Sequence, residues 1–478
     1  MGTTVVPGRT SRLRFGISRA DITPPIGIYH RMWGAARHDR ATGVHRPQIA
    51  DVMVFGALDR SDVGLIRANL DLVTLAEAQT DDLRRSLSDA SGVPIERIVV
   101  AYSHTHSGGW FVPDRVTLPG GELIVPYLRN LGARLAQASR EAIASMQSAT
   151  LTYAIGRCDV AANRDYWDDE RGGHVCGYNP DAPADDTVVV VRATDASGRQ
   201  IATVVNYACH PTTLAWDNTL LSPDFVGAMR ETVERDTNAP CVFAQGACGD
   251  LGPRHGFVGD TAVADKNGRQ LGYAALSAMA SMGPPATDFQ YTGAVISGAT
   301  IGTWGYRDQD AERARQTSRF VGASHTVDLE LKPRPERAAL EAEFANWEAR
   351  QREADARGDG IAARDFGARA ERVRRWLGRI AGLPAGPTYS LPFSTYRLGD
   401  AVWVTTGGEP YNLIQLELRR RFPDRPIVFS PLSGGHSVAY LLPADRYGKG
   451  LYQEEPSILA PGCLEALIEA VAARIAML

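Results

Sequence analysis

The stretch IVVAYSHTHSGG, residues 98–109, decides how this chain is read. Ile98 to Tyr102 form a short, uninterrupted apolar run, as expected of a buried strand. The run does not end in an ordinary turn but passes directly into Ser103-His104-Thr105-His106-Ser107-Gly108-Gly109. Four further apolar runs end the same way. Residues 201–207 lead into Cys209-His210-Pro211-Thr212-Thr213, and 241–244 into Gln245-Gly246-Ala247-Cys248-Gly249-Asp250. Residues 402–405 lead into Thr406-Gly407-Gly408-Glu409-Pro410, and 427–429 toward Ser433-Gly434-Gly435-His436. In α/β sheets ligands bind at the carboxyl ends of strands, where loops from several strands converge. Polar, glycine-rich tips on five strands therefore predict one shared site.

Working outward, 187–191 reads as a further buried strand, and 80–87, 127–146 and 464–478 read as helices. The alternation predicts an α/β fold, a mixed β-sheet core flanked by helices. Residues 334–380, rich in Ala, Arg and Glu, predict a helical hairpin inserted into that fold near its C-terminal third. The hairpin is expected to be a solvated face without chemistry, with a lid over the site as the less favoured alternative. No internal repeat is present, and 1–478 is expected to form a single domain.

Composition narrows the function. The 478 residues carry 51 Lys and Arg against 55 Asp and Glu, a net charge of −4. Lys266, Lys332 and Lys449 are the only lysines, and no dense basic stripe occurs, so nucleic acid is not an expected partner. No apolar run approaches the ~20 residues needed to span a bilayer. The first residues lack the charged-then-apolar pattern of a signal peptide, which predicts a cytoplasmic protein. Six scattered cysteines without a CxxC pair predict free thiols rather than a disulfide framework.

His and carboxylate groups from separate strand tips suit a catalytic zinc, which takes about four ligands and leaves one position for water. His104 and His106, one residue apart, point the same way if extended. Each residue also has a plainer reading: a satisfied polar histidine, a turn carboxylate at Glu409, a helix cap at Asp250. Trp110 and Phe111, just after the histidines, either line a substrate pocket or pack their own loop. No GxSxG elbow is present on a strand-to-helix turn, which argues against a serine hydrolase.

The segments AYSHTHSGG, NYACHPTTL, SPDFVGA, FAQGACGD, TTGGEPYN and YGKGLYQEE together resemble the neutral (alkaline, non-lysosomal) ceramidase family, with weaker matches in ISRADITPPIG, TGVHRPQIAD and ANRDYW. The resemblance implies a Zn2+ held by His104, His210, Glu409 and Tyr452, with Tyr447 as the neighbouring alternative for the phenol. It implies catalytic roles for His106 beside the metal and for Arg164 on the substrate. It further implies a zinc-dependent amidohydrolase that cleaves a linear N-acyl amide, ceramide-like or soluble, by metal-activated water. A hydrolase of cyclic amides or esters, or a non-catalytic binding member, is the alternative. Two departures stand out. Where the family carries Gly-Asp-x-Ser-Pro, this chain has Gly249-Asp250-Leu251-Gly252-Pro253, so a serine nucleophile there is not expected. The C-terminal immunoglobulin-like domain of the family's secreted members is also not expected here.

Overall fold

In the computed structural model, which describes residues 4–435 and 437–478, two β-sheets lie face to face with helices outside them. The strands of the larger sheet are β1 (Thr10–Asp21), β2 (Ile49–Gly56), β3 (Leu65–Leu70), β4 (Ile98–Tyr102), β5 (Gln147–Arg157), β6 (Thr187–Asp195), β7 (Gln200–Tyr207) and β8 (Cys241–Gln245). Their spatial order is β8-β7-β6-β5-β1-β2-β3-β4. The middle is antiparallel, and the two outermost pairs, β7/β8 and β3/β4, are parallel. The smaller sheet has β9 (Phe320–Glu330), β10 (Thr388–Leu398), β11 (Ala401–Thr406) and β12 (Ile427–Ser430) in that order, with β11 and β12 parallel. The sheets are mixed, as the sequence predicts, and flanked by helices.

Apolar side chains on alternate positions close the space between the sheets. Leu13, Phe15, Met53, Phe55, Val189 and Val204 of the larger sheet meet Tyr396, Leu398, Trp403 and Val428 of the smaller. Each such side chain is worth about 1.5–3 kcal/mol when fully buried. The outer faces are covered by α1 (Glu77–Ser91) with α2 (Ile124–Ala144), by α3 (Phe225–Thr237) with α4 (Thr261–Ala280), and by α8 (Leu413–Arg421) with α9 (Cys463–Ala476). A short α5 (Ala311–Thr317) precedes the smaller sheet.

The larger sheet curls until its two parallel edges meet. β8 packs against β3 and β4, and Asn69 Nδ2 of β3 donates to the Phe243 carbonyl of β8 at 2.7 Å. Arg67, fully buried on β3, reaches the smaller sheet, donating to Thr405 Oγ1 at 3.0 Å and to Ser430 Oγ. Three strand–helix–strand units, β3-α1-β4, β7-α3-β8 and β11-α8-β12, thus bring their carboxyl ends to one place.

The predicted hairpin is present as α6 (Arg337–Ala356) and α7 (Gly360–Gly382), with Asp359 accepting from Ala362 N at 3.0 Å. It is more than the solvated face expected from composition. Arg115, in the loop beyond the histidines, donates to Glu371 of α7 at 2.9 and 2.7 Å, and both side chains are buried. That pair holds α7 over the carboxyl ends of the strands. All six cysteines are free thiols, as predicted. No helix among the described residues is long and apolar enough to cross a membrane.

Candidate metal centre

Each of the three parallel units delivers one part of the site. The tip of β4 supplies His104 and His106, the tip of β7 supplies His210, and the tip of β11 supplies Glu409. The tips are stitched together by backbone. His106 N donates to Pro211 O at 3.3 Å, and Gly249 N, after β8, donates to Pro410 O at 2.9 Å. Gly249 allows this approach because a Cβ there would lie 2.6 Å from the Glu409 carbonyl oxygen. His104 has φ 70°, a left-handed conformation that a side-chain-bearing residue adopts only under constraint. The Asp250 carboxylate accepts from Asn412 N at 2.7 Å, tying the β8 tip to the start of α8 rather than capping the helix that follows it. Burial pushes its pKa up to about 6.

The imidazoles are oriented by carbonyls. His104 Nδ1 donates to Val73 O at 2.6 Å, and His210 Nδ1 donates to Cys248 O at 2.6 Å. A carbonyl can only accept, so Nδ1 carries the proton and Nε2 presents its lone pair. His210 Nε2 faces Glu409 Oε2 at 3.1 Å, and His104 Nε2 faces the same oxygen at 3.3 Å. His106 Nε2 lies 3.4 Å from His104 Nε2. Burial and the adjacent Arg164 push the His210 pKa down to about 3, and burial with the neighbouring histidines holds His106 well below its ordinary value. Acceptors therefore face acceptors in a buried pocket. A cation resolves that conflict, and His104, His106 and His210 have ligand atoms within 4.8 Å of one another. Two or three neutral imidazoles with a carboxylate form a donor set that suits Zn2+.

A different tyrosine from those the resemblance names stands beside the carboxylate. Glu409–Pro410 pairs in parallel with Tyr440–Leu441, which sets Tyr440 directly opposite Glu409. Tyr440 is 4% exposed, accepts from Arg164 Nη2 at 3.0 Å and stacks near His210 with ring centroids 6.2 Å apart. Tyr452, the expected ligand, is 48% exposed and packs behind Tyr440, with centroids 5.9 Å apart. Tyr447 points away and donates to Leu459 O at 3.0 Å. Arg164 lies in the same cluster. Its Nη2 also donates to Gly249 O at 2.8 Å and lies 3.5 Å from His210 Nε2.

Two cavities meet at this point. One, of about 450 Å³, is lined by His104, His106, Glu409, Val73, Trp110 and Val112. The other, of about 1060 Å³, holds Arg164, Trp33, Trp216 and Phe257. Tyr440, Tyr452, Arg375 and Arg379 line both. Trp110 stands in the wall of the smaller cavity while also packing into the core. Phe111 does not reach the wall: it is buried in the core against Tyr127, ring centroids 5.0 Å apart. His436 lies outside the described residues.

The family model described as neutral/alkaline non-lysosomal ceramidase, N-terminal, matches residues 13–297. The chain belongs to this family. One curated relative is the neutral ceramidase of Pseudomonas aeruginosa, 26% identical over 269 residues, which are 52% of this chain and 38% of that protein. The chain thus matches well under half the length of that relative. The crystal structure of neutral ceramidase from Pseudomonas aeruginosa superposes with a TM-score of 0.66 at 17% identity, covering 98% of this chain and 74% of that one. A ceramidase complexed with C2 gives a TM-score of 0.63 at 17% identity, covering 97% and 74%. Those likenesses establish the ceramidase fold across the smaller sheet as well.

Within this ceramidase-family chain, several site residues were missed from sequence. Trp33 packs on His106 with centroids 5.2 Å apart and contacts Trp216 and Phe257 edge-on. Trp33 stands in an irregular segment with no periodic pattern, so nothing in its neighbourhood marks it.

Proposed function

We propose that this chain is a zinc-dependent amidohydrolase that cleaves an N-acyl amide, ceramide-like or soluble. The observation that carries the reading is the convergence of His104, His106, His210 and Glu409 from three parallel strand tips, all lone pairs and carboxylate in a buried site. His104, His210 and Glu409, with the Tyr440 phenol, would hold the metal. Bound zinc polarises a carbonyl and lowers the pKa of a water ligand to about 7.

The chain's own groups supply the rest. His106, whose Nε2 lies 3.4 Å from His104 Nε2 at the edge of the metal site, would take a proton from the attacking water and return it to the leaving amine. Arg164, a permanent cation held on Gly249 O and Tyr440 Oη, opposes the negative charge that develops on the carbonyl oxygen. One such preorganised donor is worth about 2.7–4 kcal/mol. The apolar walls formed by Val73, Trp110, Val112, Trp33 and Phe257 exclude water and take the acyl chain.

The test is hydrolysis of a panel of amides sharing one acyl chain, including ceramide, before and after chelation and after restoring zinc. Chelator-sensitive release of the fatty acid, regained with zinc, is expected. Cleavage that survives complete chelation would overturn the metal-dependent reading.

A further inference from the structure

Helix α7 presents Glu371, Arg375 and Arg379 four residues apart, so all three lie along one face of the helix. The face is charged unevenly. Glu371 accepts from Arg115 at 2.9 and 2.7 Å and from Arg375 Nε at 2.9 Å, so one carboxylate serves two guanidinium groups. Asp114, 3.5 Å from Arg115, supplies the second balancing charge. Arg375 is further fixed by the Met32 carbonyl and by the Trp110 ring, 5.7 Å from its guanidinium. One turn on, Arg379 has no hydrogen-bond or ion-pair partner among the described residues. Its Nε is buried and unsatisfied, and its guanidinium rests only over the Trp376 ring at 5.8 Å. Glu455, the acid nearby, accepts from Trp376 Nε1 at 2.9 Å and lies 3.6 Å from Arg372.

An unpaired, partly buried guanidinium is costly unless something anionic completes it. Arg379 lines both cavities, as do His106 and Tyr440, so it faces the space the two cavities share beside the metal site. A carboxylate one carbon beyond the scissile nitrogen stays within that junction, whereas one at the far end of an acyl chain would be carried away from it. We propose that Arg379 is the receptor for a carboxylate on the amine side of the substrate, which makes N-acyl amino acids the preferred amides over neutral N-acyl amines. The proposal rests on the amidohydrolase reading and names its substrate class. The guanidinium fork matches a carboxylate in two-point contact, which a neutral hydroxyl cannot reproduce.

The experiment compares N-dodecanoylglycine with N-dodecanoylethanolamine, which release the same fatty acid. In the wild-type protein kcat/KM is expected to favour the glycine conjugate by about tenfold or more, the size of one charge-assisted hydrogen bond. In Arg379→Gln the ratio falls toward one, and Arg379→Lys keeps part of it. A ratio unchanged in Arg379→Gln, or a wild-type preference for the ethanolamide, overturns the proposal. If neither amide is cleaved, the hydrolase reading fails, and calorimetric titration with the two amides still reads the anion site. Tighter binding of the glycine conjugate in the wild type, lost in Arg379→Gln, supports it; equal binding of both overturns it.

Discussion

Tyr440 stands directly opposite Glu409 across a two-residue parallel pairing, and Glu409 N donates to Ala439 O at 2.7 Å beside it. The pairing places a buried phenol, held by Arg164, at the same level as the carboxylate. Tyr440→Phe should weaken zinc binding by about 10–100-fold, the range seen when a metal site loses a supporting group. Tyr452→Phe, on the half-exposed ring, should retain the metal. Competition with a chromophoric chelator measures both, and a larger loss in Tyr452→Phe would return the ligand role to that residue.

The two glycines of the 249–253 run should respond in opposite ways. A Cβ at Gly249 meets backbone, 2.6 Å from Glu409 O and 2.9 Å from Pro410 O, so Gly249→Ala must displace the Glu409 strand tip. Overpacking of this kind costs about 1–3 kcal/mol. At Gly252 the nearest atoms to a Cβ are Arg164 Cδ and Thr212 Oγ1, both at 3.7 Å. Gly252→Ser therefore fits and should change stability by no more than about 0.5 kcal/mol. Urea titrations of the two variants decide this.

Glu371→Gln removes the carboxylate that Arg115 and Arg375 share. A buried ion pair broken on one side costs about 3–5 kcal/mol, because the remaining charge is left uncompensated. The variant should show that loss in denaturant titration, and protease cleavage within 337–382 should be faster than in the wild type. Wild-type stability would show that α7 does not depend on the pair.

His30 supplies a pH dependence. It is buried, with Nε2 donating to Ser107 O at 3.2 Å and Nδ1 facing His38 Nε2 at 2.9 Å. Burial, with the neighbouring His38, pushes its pKa down to about 4. In the unfolded chain it titrates near 6.5, so between about 6.5 and 4 the unfolded state binds the extra proton. Stability is therefore full above about pH 6.5 and falls as pH drops toward 4, by up to about 3 kcal/mol from this group. His30→Gln should flatten that part of the stability profile. An identical slope in the variant would assign the effect to other groups.

Much of this arrangement was legible in the sequence because of where the parallel strands lie. β4, β7, β8, β11 and β12 are short, apolar and buried, the pattern that parallel strands impose. Their polar tips are contiguous in sequence, so His104, His106, His210 and Glu409 could be read from them. β1, TSRLRFGISRAD, mixes charged and apolar residues, and its place at the centre of the sheet depends on partners far along the chain. The role of α7 was hidden for a similar reason: Glu371 reads as one more charge on a solvated helix until it meets Arg115, 256 residues away. Tyr440 and Tyr452 differ by register and burial, neither of which local sequence expresses. Phe111 and Trp110 are adjacent and both pack into the core, yet only Trp110 also reaches the cavity wall.

In the reading proposed above, three strand tips assemble one zinc site. Elemental analysis of the wild-type protein and His210→Ala, purified side by side, tests this. About one zinc per chain is expected in the wild type, as a single tetrahedral site requires, and little in the variant. A wild-type protein that takes up no zinc, or a His210→Ala protein that holds a full equivalent, would contradict it.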